Sequence, residues 1–196
     1  STWRLWGYTA GEYWRPAELL LDMLVEAASK GGNLLLNVGP DPDGRYPDEY
    51  IIRAEAIGEW MERHGEAIYG SEPGEVCEFV TSGRQTKKGS NLYLIVRFWG
   101  PTGEITLRGL QTRVNRAVLL STGDEVQFVQ TTDHLTMTGL PIERPTELFP
   151  VIRLECDGPP EACDWAKDRL WGGDPRRMTP WAAARGTSVW ADGRDR

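Results

Sequence analysis

Apolar positions follow one period before Gly74 and another after it. In the first part, Leu20, Met23, Leu24 and Ala27 recur at i, i+3, i+4 and i+7, the stripe of a helix with one buried face. Pro16 suits the first turn of such a helix, and Glu18 sits near its positive end. Lys30 followed by Gly31-Gly32 stops it. A second helix is predicted over residues 48–64, with Tyr50, Ala54, Ile57, Met61 and His64 on one face and Gly65 ending it. Between the two, residues 33–38 form an apolar run bounded by Gly32 and Gly39-Pro40, the pattern of a strand buried on both faces in a parallel sheet. Asp41-Pro42-Asp43-Gly44 then signals a turn. The aromatic, glycine-bearing stretch 1–13 shows neither period and reads as a loop.

After Gly74 the period becomes two. Leu92, Leu94, Val96 and Phe98 share one face of a strand, and Tyr93, Ile95 and Arg97 share the other. Ile105 and Leu107 alternate with polar neighbours, and strand-like runs follow at 114–120, 126–129, 135–137 and 151–154. Short strands separated by Gly-containing turns predict an antiparallel sandwich. From Pro159 onward the pattern weakens: helices are predicted near residues 161–170 and 180–185, and Trp165, Trp171, Trp181 and Trp190 predict that this tail packs onto something. The fold class is therefore α+β, with a helix-strand-helix segment in 1–73, a β-sandwich in 74–158 and a tail in 159–196. One parallel strand cannot make a sheet, so the first segment is expected to pair with another chain, as in a homo-oligomer, or with a missing upstream portion.

Composition narrows the function. Apolar residues are 40% of the 196 and charged residues 26%, the mix of a globular chain. The net charge of -7 argues against a nucleic-acid partner and an anionic substrate, while a neutral sugar fits it. Nine Trp supply flat apolar faces suited to sugar rings, and equally to cores. Cys77, Cys156 and Cys163 form no disulfide framework or metal pattern; Cys156 and Cys163 could pair, but free thiols are expected. With two His in the chain, no metal site is expected. The most apolar run, Leu34-Leu35-Leu36, is far short of a membrane span.

Several motifs occur together in order. Trp6-Gly7-Tyr8 comes first, then Glu18-Leu19-Leu20, then the run from Ser29 through Asn33-Leu34-Leu35-Leu36-Asn37-Val38-Gly39-Pro40, then Ile57-Gly58-Glu59-Trp60 and Gly65-Glu66-Ala67-Ile68-Tyr69. This combination resembles the end of the catalytic (β/α)8 barrel in the glycoside hydrolase family 29 α-L-fucosidases, and the region from Phe79 to Leu154 is similar to their carboxy-terminal β-sandwich. The resemblance implies hydrolysis of terminal α-L-fucosyl bonds with retention, a fucosylated glycan as partner, and no cofactor. Retention needs an Asp nucleophile facing a carboxyl acid/base, roughly 5–5.5 Å apart. In the family both precede the Trp-Gly-Tyr motif, so no catalytic residue is expected in this chain. The alternative is a non-catalytic module that binds carbohydrate or another subunit.

The resemblance makes Trp6 the residue expected to touch the sugar, and it places Asn37 at the end of the last barrel strand, on the face where barrel active sites form. Asp41 and Asp43 lie in a Pro/Gly turn that favours local hydrogen bonds over catalysis. Glu66 and His64 read as structural, and Arg176-Arg177 as a solvated or tail-docking pair. Two positions depart from the family pattern: Leu5 replaces a small polar residue, and Gly74 replaces a Trp at the junction of the two segments.

Overall fold

The computed structural model describes residues 2, 6–74 and 83–166. Two helices come first, α1 (Ala17–Ser29) and α2 (Asp48–His64), and a 3-10 turn at Gly65–Ala67 follows. Pro16 stands just outside α1 as its cap, with extended backbone. Nine strands come next among the described residues: β1 (Glu72–Pro73), β2 (Gly83–Lys88), β3 (Asn91–Val96), β4 (Ile105–Arg108), β5 (Val114–Leu119), β6 (Asp124–Glu125), β7 (Gln127–Gln130), β8 (His134–Thr138) and β9 (Val151–Cys156). They form a six-stranded sheet in the order β1-β2-β3-β9-β5-β6 and a three-stranded sheet in the order β4-β8-β7. All pairings are antiparallel. No described helix is long and apolar enough to cross a membrane.

Strand β3 organises the packing because successive side chains point to opposite faces. Leu92, Leu94 and Val96 enter a core shared with Ile105 and Leu107 of β4, Leu135 and Met137 of β8, and Ile152 and Leu154 of β9. Tyr93 and Ile95 point the other way and join Val151, Phe149, Leu21, Val25, Trp60 and Ala67 in a second core. One face of the six-stranded sheet thus meets the three-stranded sheet, and the other meets the helices. Polar contacts fix the helical layer in register. Trp60 Nε1–H donates to the Phe149 carbonyl at 2.7 Å, and the buried Thr86 hydroxyl donates to the Ala67 carbonyl at 2.6 Å. Arg153 on β9 pairs with Glu66 at 2.9 Å, and the Tyr93 hydroxyl reaches the same carboxylate at 3.4 Å.

The α+β expectation holds in its coarse form, and several details change. Residues 33–38 do not form a strand: they run without strand pairing among the described residues, and Leu35 is 85% exposed rather than buried on both faces. A strand needs a neighbour to accept its backbone hydrogen bonds, and the described chain supplies none here. The buried face of α1 is Leu20, Leu21, Asp22, Val25 and Ser29, rotated from the expected stripe, because Leu21 and Val25 turn toward the sheet. Strand β3 ends at Val96, which leaves Phe98 exposed. Strand β2 carries no apolar alternation, and its buried Gln85 and Thr86 are polar. At Gly74 an added Cβ would lie 2.4 Å from the Thr86 carbonyl carbon, so no side chain fits where the family pattern carries Trp. Residues 164–166 are helical. Residues 161–163, where the predicted helix begins, are not helical, and Ala162 bridges to Leu110. Residues 167–170, the helix predicted near 180–185, Arg176-Arg177, Trp171, Trp181, Trp190, Leu5 and Cys77 lie outside the described residues.

His64 is buried at the end of α2 and stacks on Trp60 with ring centroids 5.1 Å apart. Its Nδ1 lies 3.1 Å from the Trp60 carbonyl, which can only accept, so Nδ1 carries the proton and Nε2 is a buried acceptor without a partner among the described residues. Burial holds the imidazole below its ordinary pKa, so the folded chain binds this proton less readily than the unfolded one. The contribution is full above the unfolded value of about 6.5 and is lost as pH falls through the lower folded value. Urea unfolding at about pH 7.5 and about pH 5.5 should therefore show lower stability in acid, and His64→Gln should shrink that difference. An unchanged difference in the variant would assign the acid sensitivity elsewhere.

Candidate functional site

The two residues singled out for sugar contact meet in the structure. The Asn37 Nδ2–H donates to the main-chain carbonyl of Trp6 at 2.5 Å, tying the 6–8 loop to the segment that follows α1. The two segments touch backbone to backbone: a Cβ added at Gly39 would lie 2.4 Å from the Tyr8 nitrogen and 2.6 Å from the Gly7 carbonyl carbon. Glycine is therefore required at 39 by close approach. The Trp6 side chain itself is 76% exposed, its ring free to present a flat face to a ligand.

Asp41 closes the next turn. One carboxylate oxygen accepts the main-chain N–H of Asp43 at 2.9 Å and of Arg45 at 2.8 Å, and the Asp41 N–H donates back to the Arg45 carbonyl at 2.9 Å. This is the local bonding that Asp supplies in turns, and it engages the carboxylate nearest the corner. Beside it opens a cavity of about 330 Å³ lined by Tyr8, Trp14, Asp41, Arg45 and Tyr46 among others. Two residues that the sequence did not single out hold the segments around it. Arg53 of α2 donates from Nε to the Arg15 carbonyl at 2.7 Å and from Nη1 to the Glu49 carbonyl at 2.5 Å, with its guanidinium 5.9 Å from the Trp14 ring centre. Glu12 is buried and accepts the Tyr13 N–H at 3.0 Å. Nothing in the periodicity marks either residue, because their roles arise from loop closure.

The remaining candidates are placed as follows. Glu66 is held by Arg153, and His64 is packed on Trp60. Cys156 and Cys163 are free thiols, and burial pushes Cys156 up to about 11, which makes it a poor nucleophile near neutral pH. Among the described residues no group of three or more His, Cys, Asp or Glu could hold a metal ion. Substitution tests the corner directly. Gly39→Ala forces the two backbones apart and should cost about 1–3 kcal/mol, whereas Asn37→Ala removes the exposed hydrogen bond to the Trp6 carbonyl and should cost about 0.5–1 kcal/mol. Thermal melts of both variants check this ordering, and equal melting temperatures would mean that the corner is not packed as described.

A profile of the family described as "Alpha-L-fucosidase" matches residues 1–66, the part that contains this corner. The tissue α-L-fucosidase of Macaca fascicularis is 32% identical over 143 residues, covering 69% of this chain and 30% of the relative. Among solved structures, α-L-fucosidase isoenzyme 1 from Paenibacillus thiaminolyticus superimposes with a TM-score of 0.71 at 33% identity, over 78% of this chain and 37% of that one. A family 29 α-L-fucosidase from Bacteroides thetaiotaomicron gives 0.68 at 30% identity, over 77% and 35%. The chain thus spans about a third of the length of these relatives. Both parts of the chain, helical and sheet, lie within the likeness, and the chain is related to the glycoside hydrolase family 29 α-L-fucosidases, corresponding to part of one.

Proposed function

We propose that this chain is the carboxy-terminal part of an α-L-fucosidase that hydrolyses terminal α-L-fucosyl bonds with retention, and that the carboxylates doing the chemistry are not among its residues. The observation that carries this is the Trp6–Asn37 corner, built by motif residues and held by a hydrogen bond and a backbone contact. On this reading residues 1–73 are the end of a (β/α)8 barrel, residues 74–158 a β-sandwich and residues 159–196 a tail. The unpaired segment 33–38, with Leu35 in solvent, supports its assignment as a barrel strand, which its neighbours would cover. Trp6 borders the sugar and offers its ring to the apolar edge of fucose, while Asn37 fixes the loop from which that ring projects.

Retaining hydrolysis places two carboxyl groups roughly 5–5.5 Å apart across the bond and needs no cofactor. Asp41 accepts two turn amides, which makes it an unsuitable nucleophile. A second reading, a non-catalytic module for carbohydrate or subunit binding, is favoured by the core that the two sheets close between themselves.

The purified chain should not hydrolyse an aryl α-L-fucoside, whereas the longer native product containing these residues should, releasing the retained anomer. Turnover by the chain alone at the rate of a complete relative would overturn the placement of the carboxylates, and an inactive longer product would favour the module. Exposed Trp6, Tyr13, Leu35 and Ile52 also predict self-association of the isolated chain. Sedimentation as a compact monomer with a high melting point would count against that exposure.

A further inference from the structure

The two sheets meet along one side where β5 and β7 approach, and a second groove of about 540 Å³ opens there, lined by Gln111, Arg113, Asn115, Phe128, Gln130 and Thr131. Its volume falls within the range of about 300–1,000 Å³ common for small-molecule sites. Strand β6 covers β5 only at Val118 and Leu119, so the other end of that edge is open to other partners. The Gln130 side chain fills the place of a neighbouring strand: its Oε1 accepts the Val114 N–H at 2.8 Å and its Nε2 donates to the Thr112 carbonyl at 2.9 Å. An incoming peptide strand would find this edge occupied. A register shift between Val114 and Arg116 leaves Asn115 unpaired in the ladder, as a bulge does when it re-aims a side chain. Asn115 is then steadied by donating from Nδ2 to Asp157 at 2.6 Å, which leaves its amide oxygen available as an acceptor.

Gln111 and Arg113 are exposed, and among the described residues their side chains make no hydrogen bond or ion pair. The groove therefore presents unengaged donors and acceptors side by side, over the half-buried ring of Phe128. Paired donors and acceptors above an apolar patch match vicinal hydroxyls above the C–H face of a sugar ring. An anion is less suited: the groove's lining carries one cation, Arg113, and the Asp157 carboxylate stands against its Asn115 at 2.6 Å. We propose that this groove is a binding site for a neutral sugar unit, separate in the fold from the Trp6–Asn37 corner. The choice of sugar among hydroxyl-rich ligands rests on the α-L-fucosidase reading, and the groove itself does not.

Amide-resolved NMR of the full chain, titrated with lactose and with a neutral fucosylated trisaccharide, tests this. The expected result is movement of the Asn115 and Gln130 side-chain amides and of the Thr131 main-chain signal. The Gln111→Ala, Arg113→Ala double variant should weaken the response by about tenfold, since each lost hydrogen bond contributes a few-fold. Both side chains are exposed and hold no other part of the described protein, so the variant should keep its fold, and its spectrum reports that directly. No movement with either sugar, or movement that survives in the double variant, would overturn the proposal. A response to lactose equal to that of the trisaccharide would support a sugar site without fucose selectivity. Failure of the fucosidase reading would appear separately, in the aryl fucoside assay.

Discussion

Strand β3 has no solvent face, and the rest of the structure depends on that constraint. Its even-numbered side chains close the core between the sheets, and its odd-numbered Tyr93 and Ile95 form the floor on which the helices stand. Leu21 and Val25 of α1 and Trp60 of α2 are buried in that same floor cluster. Helices of this length are marginal in water without such packing. Truncating a residue such as Ile95 would open a cavity under the helices, a loss of about 2–5 kcal/mol.

Apolar burial alone does not fix how the helical layer is rotated on the sheet, and the polar contacts do. The Trp60 and Thr86 donors each reach a single carbonyl of the opposing layer. The Glu66–Arg153 pair continues to Glu155 and Arg116, so a line of alternating charge runs across the sheet from the 3-10 turn to β5. These groups are partly exposed, and such pairs contribute about 0–1 kcal/mol each. Their effect is directional more than energetic. The motif residue Glu66 is explained by this line, as part of the joint between helices and sheet.

The legible parts of the chain were those whose partners lie close in sequence or whose burial follows one period. The predicted bounds of α2 match those observed, because its stripe and Gly65 stop are local signals. Most strands of the two sheets alternate cleanly and were found. Strand β2 was missed because hydrogen bonding to the turn after α2 selects Thr86, where a hydrophobic pattern would have called for an apolar residue. Residues 33–38 stand without strand pairing among the described residues because an apolar run reports a tendency to be buried, and carries no information on which neighbour does the burying. At the corner, motif resemblance marks Trp6 and Asn37, but not the bond between them, since it joins positions separated by the whole of α1. Glu12 and Arg53 left no sequence signal because their partners are backbone carbonyls and amides of loops.

The bond from Asn37 ends on a main-chain carbonyl, a group that every amino acid possesses. The tether is therefore blind to what residue 6 carries. The ring at position 6 can be exchanged for another group while the loop stays anchored in the same place. Drift at Asn37 or Gly39 has no such freedom, since one supplies the grip and the other the room for it. The corner thus separates a replaceable tool from a fixed handle.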